Sequence, residues 1–203
     1  MPISLFAVTD HHLTPSQILD LGLVLNEDKV LRQFYTFPWP RKEKGMPDWR
    51  EIYDEATLEY KWKKARGEQP LSEEEEENMP FVYWWQFPTF FNYVDFNEKT
   101  VVFHAFDIEL WALDPENRQW EDMREKYSRI LSFYDRLGQI MQEKYFIVFT
   151  DGRSSWIESM IGENRTLDEI RTAILQRTGS NRIEDITDKW LGDHHIYIHT
   201  VKR

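Results

Sequence analysis

The spacing of apolar side chains between residues 116 and 144 constrains the fold of this chain most strongly. Apolar residues recur there every three or four positions, namely Trp120, Met123, Tyr127, Ile130, Leu131, Tyr134, Leu137 and Met141. This spacing predicts a long amphipathic helix that starts at Asp114-Pro115-Glu116 and runs to about Lys144. The apolar stripe of such a helix has to pack on a second layer of structure.

That second layer is predicted to be a β-sheet. Residues 81–87, 89–96 and 100–106 are rich in β-favouring side chains, and Asn97-Glu98 is a plausible turn. Residues 2–9, 145–150 and 195–201 add further strands. We therefore predict an α+β fold, with a mostly antiparallel sheet of about five or six strands packed on helix 116–144 and further helices at both ends. We expect the first and last strands to be paired or close.

Two capping boxes predict where helices begin. Thr14-Pro15-Ser16-Gln17 offers an N-cap, a proline at the first helical position and a glutamine that reaches back. Thr166-Leu167-Asp168-Glu169 repeats this chemistry before a second helix. The first helix is predicted to end near Gly22 and the second near Thr178-Gly179, because glycine favours helix ends.

The length of 203 residues fits a single domain covering residues 1–203. Within it, residues 38–80 form a candidate projecting, charged helical sub-lobe, because prolines flank a run of basic residues that is followed by glutamates. The chain has no cysteine, which excludes disulfides, thiolate metal ligands and cysteine nucleophiles.

The charge balance bears on the class of partner. Lys plus Arg is 25 and Asp plus Glu is 36, so the net charge is 25 − 36 = −11. An acidic chain of this kind is a poor match for nucleic acid or an anionic membrane surface. The first residues lack the basic start of a signal peptide, and no apolar run reaches membrane-spanning length. We expect a cytoplasmic protein; the oligomeric state is left open.

Two similar tripeptides are the candidate metal ligands. Asp10-His11-His12 follows the first predicted strand and Asp193-His194-His195 precedes the last, which together hold four of the 6 histidines. Imidazole and carboxylate bind zinc or manganese. If the terminal strands pair, both triplets meet at one sheet edge. The alternative interpretation is that these are ordinary capping and turn residues.

Two other groups of polar residues are further candidates for a functional site. His104 precedes Asp107 and Glu109, whose alternation puts both acids on one side of a strand, either as a catalytic base or as a solvated face. Asp151-Gly152-Arg153-Ser154-Ser155 is either an anion-binding or metal-binding turn or a plain turn.

Aromatic residues and acids suggest a binding function. The candidate partner-binding residues are Glu73, Glu74, Glu75, Glu76, Glu77, Trp84 and Trp85. A dispersed acidic surface with aromatic anchors suits a partner with a basic face, and no catalytic motif is evident. The leading prediction is a non-enzymatic acidic inhibitor or immunity-type antagonist of a basic protein, without a cofactor.

Two alternatives remain open at this point. The first is a metal-dependent hydrolase in which the Asp-His-His triplets hold a divalent metal such as zinc or manganese, and the metal lowers the pKa of a bound water. The second is a small-ligand binding module that uses an aromatic face of the sheet.

Overall fold

The computed structural model describes residues 5–31, 59, 62–63, 66–68, 94–105 and 112–203. The described strands are β1 (Leu5–Asp10), β2 (Val94–Phe96), β3 (Thr100–Ala105), β4 (Tyr145–Thr150), β5 (Trp190–Leu191) and β6 (Ile196–Thr200). The described helices of two turns or more are α1 (Pro15–Glu27), α2 (Glu121–Met141), α3 (Ser155–Gly162) and α4 (Leu167–Thr178).

Within these residues the strands form one sheet of order β2-β3-β1-β4-β6-β5, and each neighbouring pair is antiparallel. The predicted α+β class, the antiparallel sheet of about six strands and the long helix are confirmed. The first and last strands were expected to be paired or close; they are not paired, but they are close, because a single strand, β4, lies between β1 and β6. Two successive antiparallel pairings also make β1 and β6 run in the same direction.

Both faces of the sheet are buried. On β1, Leu5 and Ala7 pack with residues of α1 and α2, such as Ile18 and Leu137. Phe6 and Val8, which alternate with them, pack on the other side with residues of α3 and α4, such as Ile157, Ile161, Ile170 and Ile174. Burial on both faces explains why β1 and β4 are almost continuously apolar in sequence.

The capping boxes place α1 and α4 as predicted. The Thr14 hydroxyl accepts from the Gln17 N–H and the Gln17 side chain accepts from the Thr14 N–H; Thr166 and Glu169 form the same pair. Helix α4 ends at Thr178 with Gly179 as its C-cap, as expected, whereas α1 continues through Gly22 to Glu27. One interior glycine costs only about 1 kcal/mol, which burial of the side chain of Leu25 offsets.

The long helix starts later than predicted. Residues Asn117–Gln119 form one 3-10 turn, Trp120 is extended with φ −87° and ψ 140°, and α2 begins at Glu121. Glu121 and Asp122 in the first turn complement the positive end of the helix. None of the helices in the described ranges has the length and apolar character needed to cross a membrane. Most of the predicted sub-lobe 38–80, and the strands predicted at 81–87 and around 89–93, lie outside the described residues.

Candidate functional site

The first Asp-His-His triplet lies at the end of β1. We call this side of the sheet, where β1 ends, the Asp10 edge. Asp10 of β1 is paired there with Thr100 of β3, and Tyr145 of β4 is paired with Thr200 of β6. A cleft of about 560 Å³ opens here, and its lining includes Asp10, His11, His12, Trp62, Lys99 and Thr166. A cleft of this volume is in the range that holds small molecules.

His11 forms one side of this cleft and is almost fully buried. Its Nδ1 accepts a hydrogen bond from the Leu13 N–H (3.2 Å), so Nε2 carries the ring proton and donates it to the Asn97 carbonyl (2.6 Å). Its ring also contacts Trp62 and Phe96. Burial lowers the pKa of His11. Both ring nitrogens are thus used by the main chain, which leaves no lone pair for a metal.

Asp10 has a structural partner as well. Its carboxylate accepts from the Leu167 N–H (3.0 Å), which ties the first turn of α4 to the end of β1. Burial raises the pKa of Asp10, and the charge of Asp168 adds to this rise. Glu143, which precedes β4, also has a raised pKa, caused by burial and then by the charge of Asp10. This edge therefore holds two carboxyl groups that disfavour ionisation.

Trp62 is anchored beside His11 by its indole N–H, which donates to the Phe96 carbonyl (3.2 Å). Glu98, in the turn between β2 and β3, pairs with Arg66 and accepts from the Asn164 side-chain amide (3.1 Å). Most polar groups that reach the cleft are therefore already paired. His12 and Lys99 are exposed at its rim. Of the polar side chains that line the cleft, Asp10, His11, Trp62 and Glu98 are thus engaged by other protein groups.

The second triplet lies at the opposite edge, which we call the His195 edge. Leu5 faces Thr150, and Phe149 faces Ile196, so the start of β1, the end of β4 and the start of β6 share this edge. The two edges are separated by the length of β1, about 17 Å for its five residue steps. The structure therefore keeps the two Asp-His-His triplets apart.

The turn at residues 151–155 meets the second triplet at the His195 edge. Arg153 donates to the Asp193 carbonyl (3.4 Å), and His195 stacks on Trp190 with ring centres 5.8 Å apart. Burial, and then the charge of Arg153, lower the pKa of His195. The Ser154 hydroxyl is buried, accepts from the Thr150 N–H (2.8 Å) and donates to the Thr150 carbonyl (2.9 Å). These hydrogen bonds close the turn between β4 and α3.

The alternative in which up to six metal ligands converge required the terminal strands to be neighbours, and this condition is not met. The cause is the insertion of β4 between the terminal strands, which sends the end of β1 and the start of β6 to opposite edges. Within the described ranges, no three His, Asp or Glu side chains are placed to hold a metal ion. Three of the six candidates, Asp10, His11 and His195, instead make the main-chain or stacking contacts given above.

The other predicted site residues lie where the structure gives no side-chain position. Glu73 to Glu77, Trp84 and Trp85 are outside the described residues, as are Asp107 and Glu109. His104 faces Phe6 in the register of β1 and β3, but its side chain is not among those described.

Trp120 is exposed on the surface, although the apolar spacing of residues 116–144 predicted that it would lie on the buried face of the long helix. Its residue exposure is 55 %, and it is the one exposed side chain among the described Phe, Trp and Tyr residues. Its position just outside α2 explains this, because an extended N-cap residue does not follow the helical stripe. Two consecutive acids at 121–122 are a signal for a helix start that would have placed Trp120 outside.

Comparison with protein-family models, with curated proteins and with solved structures finds no match in any of the three. The described fold defines an α+β protein with helices on both faces of an antiparallel sheet.

Proposed function

We propose that this chain is a non-enzymatic acidic binding protein that acts as an inhibitor or immunity-type antagonist of a protein with a basic surface. The observation that carries the proposal is the exposure of Trp120 at the start of α2. Tryptophan is enriched among the residues that dominate binding energy at protein interfaces. Trp120 is 55 % exposed as a residue, so a partner that covers it would bury additional apolar surface, which is favourable.

The charges next to Trp120 support a basic partner. Glu116, Glu121 and Glu125 are exposed and have no ion-pair partner among the described residues. The neighbouring cations are engaged: Arg124 donates to the carbonyl of Gln119 (3.0 Å), and Lys126 contacts Asp122 (3.7 Å). The carboxylates around Trp120 are thus available to a positively charged surface, in line with the net charge of −11.

The position of Trp120 also suits a binding anchor. It is fixed between a 3-10 turn and a helix, and the Trp120 carbonyl accepts from the Arg124 N–H (3.1 Å). Arg118, two residues earlier, stacks on Tyr127 at 3.8 Å and donates to the Leu113 carbonyl (2.8 Å). A backbone held in this way loses little conformational entropy when a partner binds. The predicted contacts at Glu73 to Glu77, Trp84 and Trp85 remain part of the proposal.

Photocrosslinking identifies the partner and tests the surface. A photoreactive amino acid at Gln119, which is exposed beside Trp120, is introduced in cells that make the chain, and the crosslinked protein is identified by mass spectrometry. The partner is then purified, and its dissociation constant is measured for the wild type and for Trp120→Ala. We expect a basic partner, affinity that falls with salt, and at least about 30-fold weaker binding of the variant, which is about 2 kcal/mol.

Val24→Ala is the matched control, because Val24 is 51 % exposed on α1 and away from the start of α2. It should leave the dissociation constant unchanged. An acidic partner, or equal affinity of the wild type and Trp120→Ala, would contradict the proposal.

Elemental mass spectrometry separates this proposal from the metal-dependent hydrolase. Tag-free protein is compared with the double variant His11→Ala/His194→Ala. We expect no stoichiometric metal in either protein, because the triplets are at opposite edges and both nitrogens of His11 are used. Stoichiometric zinc or manganese that disappears in the double variant would favour the hydrolase instead.

A further inference from the structure

His199 is a buried histidine on β6 that faces the long helix. Its side chain is 1 % exposed, and Nε2 lies 2.8 Å from Oδ1 of Asp135 in α2. The same oxygen accepts from the Lys202 N–H (2.8 Å). A carboxylate only accepts, so Nε2 carries a proton and donates it to Asp135. This contact joins β6 and the C-terminal residues to α2.

The other ring nitrogen has no such partner. Nδ1 of His199 is buried and makes no hydrogen bond among the described residues, and Oδ1 of Asp188 lies 4.0 Å away. Asp188 is held in place, because this oxygen accepts from the Thr200 N–H (2.9 Å) and the Asp188 N–H donates to the Ile198 carbonyl (2.7 Å). The Asp188 side chain is 52 % exposed, and at 4.0 Å its carboxylate attracts a protonated Nδ1 more strongly than an unprotonated one.

We propose that His199 forms a contact that depends on its protonation and joins β6 to α2 and to the segment Thr187-Asp188. We call this contact the latch and the segment Thr187-Asp188 the corner. With a proton on Nδ1, the imidazolium bridges Asp135 on one side and Asp188 on the other. Without it, the Asp188 carboxylate faces a lone pair, and the corner is held by its contacts with the main chain of β6. The corner is followed in sequence by β5, the outermost strand on this side of the sheet. Protonation of His199 would therefore change how well ordered β5 is.

The groups around His199 agree with this role. Among the described residues, the titratable side chains that face it are Asp135 and Tyr134 from α2, Asp188 from the corner, and Tyr197 from its own strand. Burial, and then the hydrogen bond with Tyr127, raise the pKa of Tyr197, so its hydroxyl keeps its proton. Asp135 and Asp188 are therefore the two acidic side chains next to the His199 ring in the described part of the chain.

Long-range proton–nitrogen NMR of the histidine rings, recorded across a pH series, reads the protonation of Nδ1 directly. The test variant is Asp188→Asn, which keeps an oxygen for the Thr200 N–H but removes the charge. We expect the proton affinity of His199 to fall by about threefold or more in this variant. Asp185→Asn is the matched control, because Asp185 is exposed on the same segment and makes no contact with His199 in the structure; it should leave the affinity unchanged.

The consequence for the corner is measured on the Thr200 amide, which donates to Asp188. Its hydrogen-exchange protection factor, corrected for the intrinsic effect of pH, should be higher when Nδ1 is protonated, and this difference should vanish in Asp188→Asn. The proposal is overturned if the Nδ1 proton affinity is the same in the wild type and Asp188→Asn, or if Thr200 protection does not follow His199 protonation.

Discussion

Gly138 in α2 gives the sharpest prediction about packing. Replacing an interior helical glycine by alanine normally adds about 1 kcal/mol of stability. At Gly138, however, an added Cβ would overlap Cγ2 of Val201 and lie 2.8 Å from its Cγ1, and Val201 is buried at 8 % exposure. Overpacking of this kind costs about 1–3 kcal/mol. We expect Gly138→Ala to lower the free energy of unfolding by up to about 2 kcal/mol.

A double-mutant cycle measures this overlap. Val201→Ala alone should cost about 1–2 kcal/mol, because it removes two buried methyl groups. In the double variant the new methyl group at 138 occupies space that Val201 vacates, so the combined loss should be smaller than the sum by about 1 kcal/mol or more. The assay is urea unfolding, followed by circular dichroism and tryptophan fluorescence.

Gly162→Ala is the control, because a Cβ at the end of α3 would meet nothing within 4 Å. It should be neutral or stabilising. If Gly138→Ala is as stabilising as Gly162→Ala, or if the cycle shows no coupling, then α2 and the C-terminal residues do not pack as described.

Three further predictions concern titration and the surface. Burial raises the pKa of Glu143 above its ordinary value of 4.5, so the folded state loses stability as the pH rises above 4.5 and the buried carboxyl group ionises. Glu143→Gln removes this charge and should therefore raise the melting temperature at pH 7, with little effect at pH 4. Burial lowers the pKa of His11, so its neutral ring contributes fully to the free energy of unfolding above about pH 6.5, and this contribution is lost as the pH falls further. His11→Gln removes the titrating ring and should flatten this part of a plot of stability against pH. Trp120→Ser should change the free energy of unfolding by less than about 0.5 kcal/mol and reduce acrylamide quenching of the fluorescence, because this side chain is exposed.

Local chemistry made the helix starts predictable. The capping boxes at Thr14 and Thr166 depend on residues three positions apart, and both form as expected. The start of α2 was misplaced because Trp120 fits the apolar spacing although its backbone is extended. Helical periodicity describes a side chain correctly only where the backbone is helical.

Strand order and site geometry depend on long-range contacts that the sequence pattern does not contain. The apolar run at 145–150 predicts a buried strand, but nothing in it indicates that β4 pairs with both β1 and β6. The metal hypothesis needed those two strands to be neighbours. Similarly, the partner that fixes the tautomer of His11 is the Asn97 carbonyl, which is 86 residues away.

The burial of both sheet faces limits where this protein can bind anything. Alternate residues of β1 pack against α1 and α2 on one side and against α3 and α4 on the other, so the described strands offer no open aromatic face to a ligand. Among the described residues, the sheet edges and the outer surfaces of the helices are the parts that burial of the sheet leaves accessible. At the Asp10 edge, Asp10 and His11 are engaged by the main chain, and at the His195 edge Ser154 is engaged in the same way. The start of α2 differs from both edges, because there an exposed aromatic side chain lies beside carboxylates that have no ion-pair partner among the described residues. This difference is the reason for proposing a macromolecular partner instead of a small ligand.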